Sequence, residues 1–133
     1  MNKIINPKEL VSPVGYSHAV ETNGGRTIYL SGQVAFDANG AIVGASDIVK
    51  QFDLALHNLQ ITLRAGRAGM TDIVKLLIFV KDKENYRQHL KEIGAIYRNY
   101  FGKYFPAMSL VEVSTLFEDD ALIEIEGIAV VND

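Results

Sequence analysis

The chain has 133 residues, 48% hydrophobic and 22% charged, with a formal net charge of −3. That size and balance fit one globular domain over residues 1–133. The acidic balance argues against nonspecific nucleic-acid binding, which needs basic patches to neutralise phosphates. The absence of cysteine excludes disulfides, thiol catalysis and cysteine-ligated metal, and agrees with a cytoplasmic setting. Lys3-Ile4-Ile5 is followed at once by Asn6-Pro7-Lys8-Glu9, so no secretory leader is expected. The longest apolar run, Leu76 to Val80, is far short of the ~20 residues of a membrane span, and no membrane partner is expected.

In chain order, Asn23-Gly24 and Asn39-Gly40 suit turns that need positive φ. They predict two early hairpins, His18–Glu21 with Thr27–Gly32 and Gln33–Phe36 with Ala41–Val43. A helix follows from about Asp47 to Ala65, with Ser46 or Asp47 as N-cap. Ile48, Phe52, Ala55, Leu56, Leu59 and Leu63 recur at helical spacing on one face. Ile73–Val80 reads as a strand buried on both sides, because its apolar run barely alternates. A second helix is predicted from about Glu84 to Phe101, capped by Asp82. Its inner stripe is Tyr86, Leu90, Ile93, Tyr97 and Tyr100. Two strands close the chain, Ala107–Ser114 and Leu122–Val131.

This order predicts an α+β fold with two crossover helices on one face of a mixed sheet. Two helices cover one face only. The run Leu76–Val80 and the alternation of Ile123, Ile125, Ala129 and Val131 predict a second apolar face, which points to an oligomer.

The candidate chemistry lies near the C-terminus, where Glu124 and Glu126 interrupt an apolar strand. Residues two apart in a strand share a face and stand roughly 6.6–6.8 Å apart. A buried carboxylate must be paired, hydrogen-bonded or protonated. Glu124 therefore has two readings: a carboxylate that acts on water, or an acid satisfied by backbone N–H groups or a lysine across an interface. For Glu126 a structural hydrogen bond is the simpler reading. His18, His57 and His89 lack metal-ligand spacing, so no metal and no cofactor is expected. Ser31-Gly32 suits close backbone approach to a ligand or a simple strand end.

Blocks along almost the whole chain resemble the RidA family, also called YjgF, whose better-studied members are enamine/imine deaminases. Gly15-Tyr16-Ser17-His18-Ala19-Val20 resembles the family's Pro-Tyr-Ser-Gln-Ala-Val, and Ile28-Tyr29-Leu30-Ser31-Gly32-Gln33 its strand ending in Ser-Gly-Gln. Ala55-Leu56-His57-Asn58-Leu59 is similar to its Ala-Leu-x-Asn-Leu helix, and Asp72 to Asp82 to its central strand. The resemblance implies a mixed six-stranded sheet of the RidA/chorismate-mutase-like type. It also implies a homotrimer with a central barrel-like core and clefts between subunits. Glu124 would be catalytic, and Tyr16, Ser31, Gly32 and Met108 would line the substrate. His18, in place of the usual glutamine, stands close to that cleft or serves only as a surface residue. The chain departs from the family at one position. Deaminase members read Pro-Ala-Arg-Ser, and this chain reads Pro106-Ala107-Met108-Ser109. The family arginine grips the substrate carboxylate, whereas a thioether carries no charge and donates no hydrogen bond. Losing that contact costs about 2–5 kcal/mol unless another group, such as Arg26, Arg87 or Arg98, replaces it.

Three functions follow in order of support. The first is a RidA-like hydrolase acting on a small reactive imine or enamine metabolite other than a standard 2-imino acid. The second is a non-catalytic trimer that binds a small molecule. The third is the endoribonuclease or translation inhibitor of the older family label, disfavoured by the acidic balance and by the lack of an aromatic stripe for stacking bases.

Overall fold

The computed structural model describes residues 2–133. Six strands and three helices follow in the order β1 (Lys3–Ile5), β2 (Ala19–Glu21), β3 (Arg26–Gln33), α1 (Ile48–Ala65), β4 (Ile73–Val80), α2 (Lys83–Gln88), α3 (Leu90–Phe101), β5 (Ala107–Glu112) and β6 (Ile123–Val131). A 3-10 turn at Met70–Asp72 leads into β4.

The expected α+β class and mixed sheet are present, but the expected six-stranded sheet is not. The strands form a four-stranded sheet ordered β3-β6-β4-β5 and a separate β1-β2 pair. In the larger sheet β4 and β5 run parallel, while β6 is antiparallel to both β3 and β4. The first predicted hairpin fails because its two strands are held apart. Ser17 N–H donates to the Pro106 carbonyl at 3.1 Å and Ser17 Oγ to the Phe105 carbonyl at 2.6 Å. This ties the chain to the β5 edge, across the sheet from β3, and β2 pairs instead with β1. The second hairpin shrinks to a single bridge between Phe36 and Ile42. There the Asp37 carboxylate accepts from the N–H groups of Asn39 and Ala41, an Asx turn that replaces ladder pairing.

The helix α1 is capped by Asp47, whose carboxylate accepts from the Lys50 N–H at 3.0 Å. Its predicted stripe is buried, including Phe52, Leu56, Leu59 and Leu63. The second predicted helix breaks in two at His89. The His89 imidazole Nδ1 lies 2.7 Å from the Asn85 carbonyl, and the His89 N–H turns to the Tyr86 carbonyl. The ring thus takes the carbonyl that an uninterrupted helix would give to the backbone.

The core lies between the helices and one face of the sheet. Ile123, Ile125 and Ala129 of β6 join Ile73, Leu76, Ile78 and Val80 of β4 in it. This corrects the expectation that Ile123, Ile125 and Ala129 lie on the uncovered face. That face carries Leu77 and Phe79 of β4 and Ile128 of β6, all half-buried, beside Tyr29, which is 78% exposed.

Gln51 on α1 is fully buried and fully satisfied. Its amide nitrogen donates to the Gly44 and Asp120 carbonyls at 3.2 and 3.0 Å, and its oxygen accepts from the Leu122 N–H at 2.8 Å. One side chain thus pins the loop before α1 to the entry of β6. Gln51→Leu keeps the volume and removes the partner of three part-buried backbone groups, so it should cost about 1–3 kcal/mol in chemical denaturation. A variant as stable as the parent would show that the amide does not hold this junction.

Candidate functional site

Along β6 the side chains alternate between the core and the opposite face. Glu124 stands opposite Phe79, Glu126 opposite Leu77 and Ile128 opposite Lys75. Both glutamates are therefore on the face away from the helices, half-buried, as the two-residue spacing predicts. Neither forms an ion pair among the described residues.

Glu124 leans over β3. A Cβ built on Gly32 would meet the Glu124 carboxylate, with Cδ at 2.7 Å and Cγ at 3.0 Å. The pairing of β3 with β6 shifts register between Leu30 and Gln33, and Ser31 and Gly32 lie in that irregularity. A break in the ladder frees local backbone groups and re-aims side chains. Ser31 and Gly32 are both exposed, so the carboxylate lies against an uncovered stretch of backbone, with Ser31 next to it in the chain. Such a group can hold a water molecule and a small polar ligand.

Met108 and Tyr16 lie elsewhere. Met108 is in register with Leu76, a core residue, so its thioether faces the helices. It borders a cavity of about 380 Å³ between β5 and α3, whose wall includes Phe105, Tyr97 and Arg98. Tyr97 stacks on Phe101 and on Phe105, with ring centroids 4.3 and 5.0 Å apart. Tyr16 is half-buried, one residue before the Ser17–Ala107 bridge at the start of β5. Its ring meets His18 edge-on at 5.3 Å, and the His18 Nε2 is 2.7 Å from the Val11 carbonyl. Within the chain the five sequence-derived candidates thus form two groups. Ser31, Gly32 and Glu124 share the outer face, while Met108 and Tyr16 flank the β5 edge, with Met108 on the inner face.

The other candidates separate cleanly. His57 is exposed on α1, and His89 serves the helix break. Arg26 is committed to Asp133 and to the carbonyls of Gly66 and Arg67. Arg87 pairs with Glu84 at 3.4 Å. Arg98 lines the cavity that Met108 borders. Tyr86, on the same wall, has its phenol pushed up to about 12 by burial, so it keeps its proton and can serve as a hydrogen-bond donor but not as an acid. Sequence reasoning singled out the tyrosines of this helix only as an apolar stripe. Gly94, one turn before Arg98 on the cavity side, was the available sign that this face is open.

A family model described as Endoribonuclease L-PSP matches residues 7–131. A RutC family protein of Pyrococcus horikoshii is 32% identical over 130 residues, covering 97% of this chain and 98% of the relative. A 2-iminobutanoate/2-iminopropanoate deaminase of Bos taurus is 34% identical over 134 residues, covering 98% of this chain and 90% of the relative. A solved structure of a Rid-family protein from Yersinia pestis, of unknown function, superposes with a TM-score of 0.86 at 37% identity and 98% coverage of each chain. Matches that span nearly every element from the N-terminal segment to β6 leave one assignment: the chain belongs to the RidA family, the group described by the Endoribonuclease L-PSP model and represented among its relatives by RutC, Rid and imine-deaminase names.

Proposed function

We propose that this chain is a RidA-type hydrolase that acts on a small reactive imine or enamine in a cleft between subunits of a homotrimer. The seating of the Glu124 carboxylate over Gly32 and beside Ser31 carries this reading. In that role Glu124 orients a water molecule toward the C=N carbon and takes its proton. The nitrogen, protonated in turn, leaves as ammonia or an amine, and the carbon becomes a carbonyl. Each positioned proton transfer of this kind contributes about 10²–10⁴-fold. Family relatives named as 2-iminobutanoate/2-iminopropanoate deaminases support the reaction class.

The division of the candidates between two regions of one subunit supports a composite site. In this reading Ser31, Gly32 and Glu124 of one subunit face Tyr16 and Met108 of the next. The apolar residues of the uncovered sheet face, Leu77, Phe79 and Ile128 with the exposed Tyr29, support association through that face. Met108 sets the substrate apart from a standard 2-imino acid, because no cation stands at the position of the family arginine. The same departure favours the second reading, a trimer that binds a small metabolite and has lost the chemistry. Cleavage of RNA is the least supported reading, since a net charge of −3 weakens phosphate attraction.

Sedimentation at micromolar concentration should give a trimer mass, and a monomer mass would remove the intersubunit cleft. The parent protein should hydrolyse 2-iminobutanoate, generated in situ by an amino-acid dehydratase, far more slowly than arginine-bearing relatives. Met108→Arg should raise that rate or create 2-oxobutanoate binding, provided the variant stays trimeric. Adding Glu124→Gln should remove at least about 100-fold of the regained rate. Gly32→Ala in the same background should act in the same direction, because its Cβ displaces the carboxylate. A folded, trimeric Met108→Arg protein with no new carboxylate affinity would put the binding-protein reading first.

A further inference from the structure

Asparagine is followed by glycine at Asn23-Gly24 and at Asn39-Gly40, and neither pair belongs to the candidate site. Both pairs are exposed. Both glycines have positive φ, +73° at Gly24 and +81° at Gly40, with open space where a Cβ would stand. The two turns differ in their hydrogen bonds. At the second, the Gly40 N–H donates to the Asp37 carbonyl at 3.1 Å, and the Asp37 N–H donates to the Ala41 carbonyl at 2.9 Å. The Asp37 carboxylate also accepts from the Asn39 and Ala41 N–H groups at 2.9 and 3.0 Å. At the first, β2 has ended at Glu21 and the β3 ladder begins only at Arg26. The Gly24 N–H between them donates to no protein carbonyl among the described residues.

We propose that Asn23 is a site of spontaneous deamidation through a cyclic imide, and that the hydrogen-bonded turn built on Asp37 protects Asn39 from the same reaction. The Gly24 nitrogen loses its proton to solvent and bonds to Asn23 Cγ, which expels the side-chain nitrogen as ammonia. Water then opens the imide at either carbonyl. One opening leaves an aspartate, and the other leaves an isoaspartyl linkage in which the chain runs through Cγ and the α-carboxylate is free. Water is the only co-reactant. Glycine after asparagine favours the ring, because no side chain crowds the attacking nitrogen or restricts its approach. At Asn39 the nitrogen must first give up its bond to Asp37, and the carboxylate cradle must loosen; each such bond slows the step about two- to tenfold. Either product makes a chain of net charge −3 more negative. The isoaspartyl form also lengthens the backbone next to Gly25, which passes too close to the Val131 carbonyl to accept a side chain. The inference does not depend on imine chemistry.

The full chain is aged in mildly alkaline buffer, folded in one sample and unfolded by urea in a second, and peptide mapping by mass spectrometry follows each asparagine. In the folded protein Asn23 should convert at least about tenfold faster than Asn39. In urea the two rates should draw together, because only the shared dipeptide then acts. Enzymatic methylation of the free α-carboxylate should mark isoaspartate in the peptide that carries position 23. Asn23→Gln should remove the new acidic band from isoelectric focusing, since the longer side chain closes a ring far more slowly. Asp37→Ala takes away the carboxylate cradle and should raise the Asn39 rate toward that of Asn23. If that variant fails to fold, the ratio between folded and unfolded samples carries the test. Equal rates in the folded protein, a faster Asn39, or an Asn23 that stays intact while the unfolded chain converts would each overturn the proposal. An unchanged Asn39 rate in folded Asp37→Ala would overturn the protection assigned to that turn.

Discussion

A slip of one residue in β6 would turn Glu124 and Glu126 into the core and Ile123, Ile125 and Ala129 out of it. Two buried, unpaired carboxylates would cost far more than the fold can spare. β6 lies between β3 and β4, so its register is read by both neighbours and sets the alignment of both. Gly127 enforces the same choice. A Cβ there would come within 2.8 Å of the Lys75 carbonyl, a backbone atom that cannot swing away. Only glycine lets the two strands approach at that point, and it stands between the two outward-facing pairs Glu126–Leu77 and Ile128–Lys75.

This register decides where chemistry is available. It carries the glutamates to the face without helices, where β3 breaks its ladder at Ser31-Gly32 and accepts Glu124 across the strand. On the other face the same alternation builds the helix-packed core. At the β5 edge that packing thins, and a cavity is left under α3. The anchoring of Ser17 to the Phe105 and Pro106 carbonyls brings Tyr16 and His18 to that edge. The two regions are thus products of one sheet, a polar one on its open face and an apolar one beneath its rim.

Much of this was legible in the sequence. The periodic stripe of α1, the capping Asp47, the apolar run of β4 and the shared face of Glu124 and Glu126 all follow from residue spacing. What failed to show were long-range competitions. Asn23-Gly24 has the chemistry of a hairpin turn, but the anchoring of Ser17 to the Phe105 carbonyl, 88 residues further along the chain, decides that β2 and β3 do not pair. The break at His89 depends on a ring nitrogen finding the Asn85 carbonyl, which no periodicity records. Gln51 reads as a polar residue on a helix and is in fact a buried clamp, because its partners Gly44, Asp120 and Leu122 meet only in the fold. Of the candidate site, local pattern pointed to the glutamates and to Ser31-Gly32, whereas Tyr16 and Met108 came from family resemblance.

Met108 also shows how one substitution is read differently at two levels. Along the motif it is a lost cation. In space it is in register with Leu76 and belongs to an apolar wall. An arginine on that strand face would have to snorkel past Leu76 and Phe105 to keep its charge in water, since a buried unpaired guanidinium is costly. Methionine fills the same wall without that detour, since its flexible thioether adapts to an irregular apolar surface.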